Sequence, residues 1–322
     1  MTTFRTYRRS DLAALVEAWN RSWEHCSFSA GTDFVPLTES DLLGRALDQP
    51  CFDPEGLLVA AQGDRISGFI HFGPVTNFWY QLSERRVVHD QGQIHAIVVP
   101  PSEPGLARDL LAAAADHLAR SGARRLLLWP SWVQCTQPFY NGIAGAYEDP
   151  GLSCERPDLL AAAADQGFQP LARYATPELP LSPDRVSSLR REAQRLWDPL
   201  SGFALSVDTR GVSSPFFPPR RMVRLACGLE VVATTAYGPW QEYTRAHGRR
   251  VYGITGVHVA PTWRGLGLGK LIVILALDAA LAEGAEALHL HVYQDNKPAW
   301  NLYHRALGFQ PRHEWATLLR KL

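Results

Sequence analysis

The chain has 322 residues, 46% apolar, 20% charged and 10% aromatic, an ordinary globular composition whose length suggests two domains more readily than one. Lys+Arg and Asp+Glu both number 32, so the formal net charge is zero. Proteins that live on phosphate backbones or anionic lipid usually carry a basic excess, so neither a nucleic acid nor a membrane is an expected partner.

Taken in chain order, the opening Met1-Thr2-Thr3-Phe4-Arg5 lacks the charged and apolar regions of a signal peptide, and a cytoplasmic setting is expected. Ser10-Asp11 predicts the cap of a helix running through Trp19 or beyond, and Leu57–Ala61 with Ile66–Phe72 predicts a hairpin across Gly63-Asp64. An apolar strand ends in Val99-Pro100, followed by a turn with Gly105, a helix, a Gly122-Ala123 turn and a strand through Leu126 and Leu128. The insert Pro138–Tyr147, rich in glycine and aromatics, reads as a packed surface loop, with the lining of an acceptor pocket as the alternative. Proline-rich Thr176–Pro183 marks a boundary, and Val186, Leu189, Ala193 and Leu196 space a bridging helix over Asp184–Leu196. Met222–Cys227 and Leu229–Tyr237 form a second hairpin. An apolar helix to about Ala282 and a strand through Leu288, Leu290 and Val292 follow.

These elements repeat. A shift of 162 residues lays Gly105 on Gly267, Gly122-Ala123 on Gly284-Ala285, Leu126 on Leu288 and Leu128 on Leu290. Later, Gly167-Phe168 echoes Gly308-Phe309. The fold class is therefore α/β with a mixed sheet, built from two copies of one unit. The domains are expected at 1–180, 181–199 (the bridging segment) and 200–322. The longest apolar run, Leu271–Leu277, is far shorter than the ~20 residues a bilayer needs. Cys26, Cys51, Cys135, Cys154 and Cys227 form no CxxC pair and read as reduced thiols, and no His/Cys cluster has metal-ligand spacing.

The segment with most chemistry is Val257-His258-Val259-Ala260-Pro261-Thr262-Trp263-Arg264-Gly265-Leu266-Gly267-Leu268-Gly269-Lys270. Glycines at alternate positions allow a tight turn with unshielded amides, and at a helix start those amides meet the positive end of the dipole, an anion site with Arg264 and Lys270 at its rim. A bare strand-to-helix turn is the plainer alternative. A P-loop is excluded because Arg264 stands at its first glycine and Leu271 follows Lys270. The dinucleotide fingerprint is excluded because the spacing here is G-x-G-x-G.

The segment resembles the acetyl-CoA signature of the GNAT superfamily of N-acetyltransferases, Gln/Arg-x-x-Gly-x-Gly/Ala, with Arg264, Gly267 and Gly269 in place. Asn296-Lys297-Pro298-Ala299-Trp300-Asn301-Leu302-Tyr303, then Gly308-Phe309, is similar to the family's N-x-x-A-x-x-x-Y helix ending in G-F. The resemblance implies two tandem GNAT-like acyl-CoA N-acyltransferase units, the first degenerate and the second catalytic. Acetyl-CoA would be cosubstrate with no metal, and a small-molecule or peptide amine the acceptor. It further implies that Val257, His258, Val259, Arg264, Gly265, Leu266, Gly267, Leu268, Gly269, Lys270 and Asn296 bind the cosubstrate and that Tyr303 protonates the departing sulfur. Tyr303 also reads as a half-buried aromatic packing near Leu307 and Phe309.

The base is less plain. Many relatives carry a glutamate where Gly253 stands; others carry one twelve residues before the tyrosine, here His291. An imidazole titrates near neutrality, which makes His291 a candidate base beside its reading as an ordinary strand histidine. In the first copy Ser102 replaces Arg264, Pro100, Pro101 and Pro104 stiffen the turn, Ala162 stands at the Tyr303 position and Glu155 at the Asn296 position. Tandem GNAT enzymes such as mycothiol synthase are similar in pairing a degenerate first unit with an active second one. The alternatives are a catalytically silent acyl-CoA binding or sensing protein, a longer-chain acyltransferase, and an enzyme resembling mycothiol synthase.

Overall fold

A computed structural model describes residues 2–23, 34–49, 52–63, 65–76, 87–129, 139–140, 142–143, 146–148, 151–198, 200, 202–214 and 217–322. Cys26, Cys51, Cys135, Asp64 of the first hairpin turn and Pro138, Asn141, Ala144 and Gly145 of the insert lie outside the described residues. The strands are β1 Thr3–Thr6, β2 Leu57–Gln62, β3 Arg65–Thr76, β4 Val87–Val98, β5 Arg125–Leu128, β6 Leu152–Ser153, β7 Gln169–Pro180, β8 Phe203–Ser214, β9 Phe217–Cys227, β10 Glu230–Pro239, β11 Val251–Val259, β12 Ala287–Leu290, β13 Val292–Tyr293 and β14 Gln310–Lys321. Two compact units result: Met1–Tyr174 with His313–Leu322, and Ala175–Arg312. Among the described residues no helix is long and apolar enough to cross a membrane.

In the first unit the sheet runs β1-β2-β3-β4-β5-β14. β4 and β5 are parallel, and the chain's last strand closes the row antiparallel to β5, Leu318 opposite Leu128 and Lys321 opposite Arg125. The helix begins at Leu12, directly after Ser10-Asp11, and Arg9–Asp11 makes a 3₁₀ turn ahead of it. The Asp11 carboxylate accepts from the Arg8 amide at 2.8 Å and from Arg5 at 2.6 Å, and the Arg5 hydrogen bond holds its carboxyl below the usual range. The described part of the 138–147 insert is no surface loop. Phe139, Tyr140, Ile143, Ala146 and Tyr147 are all buried, and Tyr140 stacks on Trp19 at 5.2 Å. Four large side chains, Phe139, Tyr140, Ile143 and Tyr147, within ten residues bury too much area to leave in water.

The second unit runs β7-β12-β11-β10-β9-β8. The proline-rich stretch read as a boundary is, through Pro180, strand: Pro180 pairs with Ala287 and Glu178 with His289. Pro183 then occupies the first turn of a helix, Pro183–Trp197, whose Ser182 cap accepts from the Arg185 amide at 3.3 Å. The helix Leu268–Ala282 is apolar nearly all round, with Leu271, Ile272, Val273, Ile274, Ala276 and Leu277 buried in the core.

β3 and β4 also bury two histidines. His71 and His95 lie tilted against each other with ring centres 4.6 Å apart, Phe139 lies 4.7 Å from each, and the Tyr140 hydroxyl is 3.0 Å from His71 Nδ1. Burial drops His71 to about 3 and holds His95 well below 6.5. The unfolded chain takes up these protons below pH ~6.5, while in the native protein His71 refuses its proton until about pH 3 and His95 stays neutral well below 6.5. Stability is therefore complete above pH 6.5 and lost as pH falls through that window, by up to ~1.4 kcal/mol per pH unit per histidine. Urea unfolding at pH 7, 6 and 5 should show this loss, and His71→Phe should reduce the slope. A midpoint unchanged between pH 7 and 5 contradicts it.

Candidate active site

In the turn after β11, Gly265 (φ +84°) and Gly267 (φ +79°) are left-handed, a conformation costly for residues with a Cβ. Gly267 is the N-cap of Leu268–Ala282, so the first amides of that helix have no intrahelical acceptor. Arg264, Gly265 and Leu266 are exposed, and a Cβ on Gly265 would meet nothing within 4 Å. Arg264 Nε donates to the Val259 carbonyl at 3.1 Å. Exposed amides, the positive end of the helix dipole and the Arg264 guanidinium are chemistry that suits an anion.

The neighbouring strand supplies an open edge. β11 and β12 pair in parallel only from Val251–Ala287 to Ile254–Leu290, after which β11 runs on to Val259 and β12 stops. A bulge marks the parting: register against β10 shifts between Thr234 and Ala236, and Gly256 has φ +61°. Val257 and Val259 are half-buried and His258 exposed. Helix start, strand end and the next helix meet here, because a Cβ on Gly269 would touch Val259 Cγ2 at 3.7 Å and Leu302 Cδ2 at 3.6 Å.

Tyr303, beside Leu302, lies in a π-helical turn Asn301–Ala306, 8% exposed and edge-on to Phe309 at 5.9 Å. Asn296 serves its own helix: its Oδ1 accepts from the Ala299 amide at 3.3 Å. His291 is half-buried, its Nδ1 3.5 Å from Thr176 Oγ1 on β7. Lys270, expected at the rim, is ion-paired with Glu192 of the Pro183–Trp197 helix.

Sequence reasoning missed a buried cluster on the same β7–β12 rung. His289 is 0% exposed, and its Nε2 donates to Glu178 Oε2 at 2.8 Å. Arg249 holds the same carboxylate at 3.0 and 3.2 Å, and Trp240 lies 5.4 Å from the imidazole. Burial raises the Glu178 carboxyl, but the bonds from His289 and Arg249 outweigh it and bring it to about 2. Strand alternation put His289 opposite Leu288 and Leu290; nothing local named Glu178, 111 residues away.

The corresponding region of the first unit is closed. Trp129, which the 162-residue shift lays on His291, has φ +44°, is fully buried, and donates its amide to the Ile94 carbonyl at 2.7 Å. Buried Arg156 reaches the Val99 carbonyl at 3.0 Å and the Ser22 carbonyl at 2.9 Å while pairing with Asp158 at 2.7 Å. Pro104 opens the helix Pro104–Arg120 without a left-handed glycine before it. Glu155 bonds His313 at 3.2 Å and Ala162 is core. Among the described residues no group of three or more His, Cys, Asp or Glu is placed to hold a metal.

Residues 12–141 and 200–309 each match the Acetyltransferase (GNAT) family. The thialysine N-epsilon-acetyltransferase of Bos taurus is 38% identical over 68 residues, 21% of this chain; the match spans 39% of that protein. A solved tandem GNAT protein from the clavulanic acid biosynthesis pathway superposes with TM-score 0.65 at 13% identity, over 100% of this chain and 98% of its own. A GCN5-related N-acetyltransferase from Sphaerobacter thermophilus superposes at 0.60 and 13% identity, over 99% and 95%. At these identities the solved structures speak to the fold.

The two left-handed glycines differ in their surroundings. A Cβ on Gly267 would sit 2.8 Å from Leu196 Cδ2, whereas Gly265 has open space. Gly265→Ala should cost about 1 kcal/mol of unfolding free energy from backbone strain alone, and Gly267→Ala more, because Leu196 must also shift. Equal losses in denaturant titrations would show that the Leu196 contact carries no strain.

Proposed function

Because the chain belongs to the GNAT acetyltransferase family, we propose that its second unit transfers an acetyl group from acetyl-CoA to a primary amine of a small molecule or peptide. The observation that carries the reading is the exposed, left-handed glycine turn at a helix start, beside a strand edge that its neighbour abandons. Acetyl-CoA supplies the thioester. The amides of Gly265–Gly269, with Arg264 and Lys270, suit its phosphates, and the free edge of Val257–Val259 suits an extended amide-bearing chain. Gly265 fits the role because a side chain there would project into the cradle.

Three proton and charge events then fall to the chain. The amine nitrogen bonds the acyl carbon as it gives up a proton, for which His291 is the acceptor. Backbone donors of the β11 edge stabilise the carbonyl oxygen. The C–S electron pair leaves with sulfur, and the Tyr303 hydroxyl provides its proton. The first unit is read as degenerate and structural, its strand ends already occupied by Trp129 and Arg156.

Titrating CoA into Gly267→Glu should show binding largely abolished, and into Gly105→Glu nearly unchanged. Wild-type affinity in the first variant overturns the assignment, and a comparable loss in the second means two working cosubstrate sites.

The burial of Tyr303 against Phe309 favours one second reading, a silent acyl-CoA binder in which the phenol only packs. Tyr303→Phe separates the two. With an amine from a broad panel as acceptor, kcat should fall, by ~10²–10⁴-fold where proton transfer limits the rate, with CoA affinity retained. Full rate across the pH profile removes the acid role.

A further inference from the structure

The cation at the rim of the glycine turn already has an anion. Lys270 stands in the first turn of Leu268–Ala282, and its ammonium is bound by the carboxylate of Glu192 on Pro183–Trp197, a pair 78 residues apart in sequence. This contact is set by packing rather than by chance approach of two long side chains. Leu189 is buried, Ala193, Leu196 and Trp197 pack against the core around Leu268–Ala282, and Arg190 pairs with Asp278 on that helix at 2.7 Å. At the other end, Arg185 donates to the Leu307 and Gly308 carbonyls at 3.2 and 3.3 Å. Leu196, one helical turn beyond Glu192 and on the same face, lies against Gly267 itself. The helix therefore presents its acid to the glycine turn from a fixed seat, and Glu192 can withdraw only by changing rotamer.

We propose that Glu192 is an affinity-setting residue of the cosubstrate site: its carboxylate is the resident counter-ion of Lys270, and a phosphate of CoA gains that lysine only by displacing it. This rests on the reading of the glycine turn as the CoA phosphate site. Two effects act in one direction. Lys270 must exchange one anion for another, which cancels most of what it contributes to binding, and the displaced carboxylate remains as a like charge near the phosphates. Both weaken CoA binding, so product release is eased at a site whose amides and Arg264 would otherwise grip harder. The pair is half-exposed, so the effect is moderate and salt-dependent.

Calorimetric titration of the full-length protein with CoA provides the test. Glu192→Gln should tighten binding about 3–10-fold at low salt, with the gain shrinking as salt approaches 0.5 M. Asp184→Asn, removing an acid from the far end of the same helix, should leave affinity unchanged. In a Lys270→Gln background the gain from Glu192→Gln should shrink to the residual through-space repulsion. Unchanged or weaker binding in Glu192→Gln overturns the proposal, as does a gain of equal size with and without Lys270. Absence of CoA binding by wild type and every variant overturns the reading of the glycine turn, and this inference with it.

Discussion

A parallel pair of strands that stops pairing after four rungs is the constraint from which the second unit follows. Beyond Ile254 and Leu290 the backbone of β11 continues without β12 beside it. Backbone polar groups denied a ladder must find another partner. Val259 finds one in Arg264, and the bulge at Gly256 shifts the register of the remaining strand against β10. The glycine turn and the helix Leu268–Ala282 are placed by the end of this strand, and Leu302, next to Tyr303, packs against it through Gly269.

The first unit shows the same constraint resolved internally. Its parallel pair also spans four rungs, Gln91–Arg125 to Ile94–Leu128. The next amide, of Trp129, turns back to Ile94, and Arg156 caps the Val99 carbonyl from a fully buried position. Trp129 and Trp23 stack edge to face at 5.9 Å, and Arg156 lies 5.6 Å over the Trp23 ring. In each unit an arginine holds a carbonyl at the end of the strand, exposed Arg264 on Val259 and buried Arg156 on Val99. The two copies thus differ at their strand ends, an exposed glycine turn in the open unit and buried Trp129 and Arg156 in the closed one.

What the sequence disclosed was local. The glycine turn, the hairpins and the helix Pro183–Trp197 are each signalled by residues within a turn or two of one another, and the repeat is visible because both copies keep their turn glycines. The closure of the first sheet by β14 was not legible: nothing local to Leu318–Arg320 says that its partner is Leu126–Leu128, some 190 residues earlier. Glu178 was hidden for the same reason, because its partners Arg249 and His289 join it only through strand pairing, and the prolines around it read as a linker. Phe139 and Tyr140 read as loop because the surrounding glycines outweighed their burial in the local pattern. Asn296, a ligand contact by the family resemblance, also caps its own helix.

Amide hydrogen exchange of the full chain with and without CoA tests most directly whether the open unit is the working one. The account predicts slower exchange on adding CoA at Val257–Val259 and Gly265–Lys270, and no change at Ile97–Arg108, the matching segment of the closed unit. Protection confined to Ile97–Arg108, or shared equally by both segments, would contradict it.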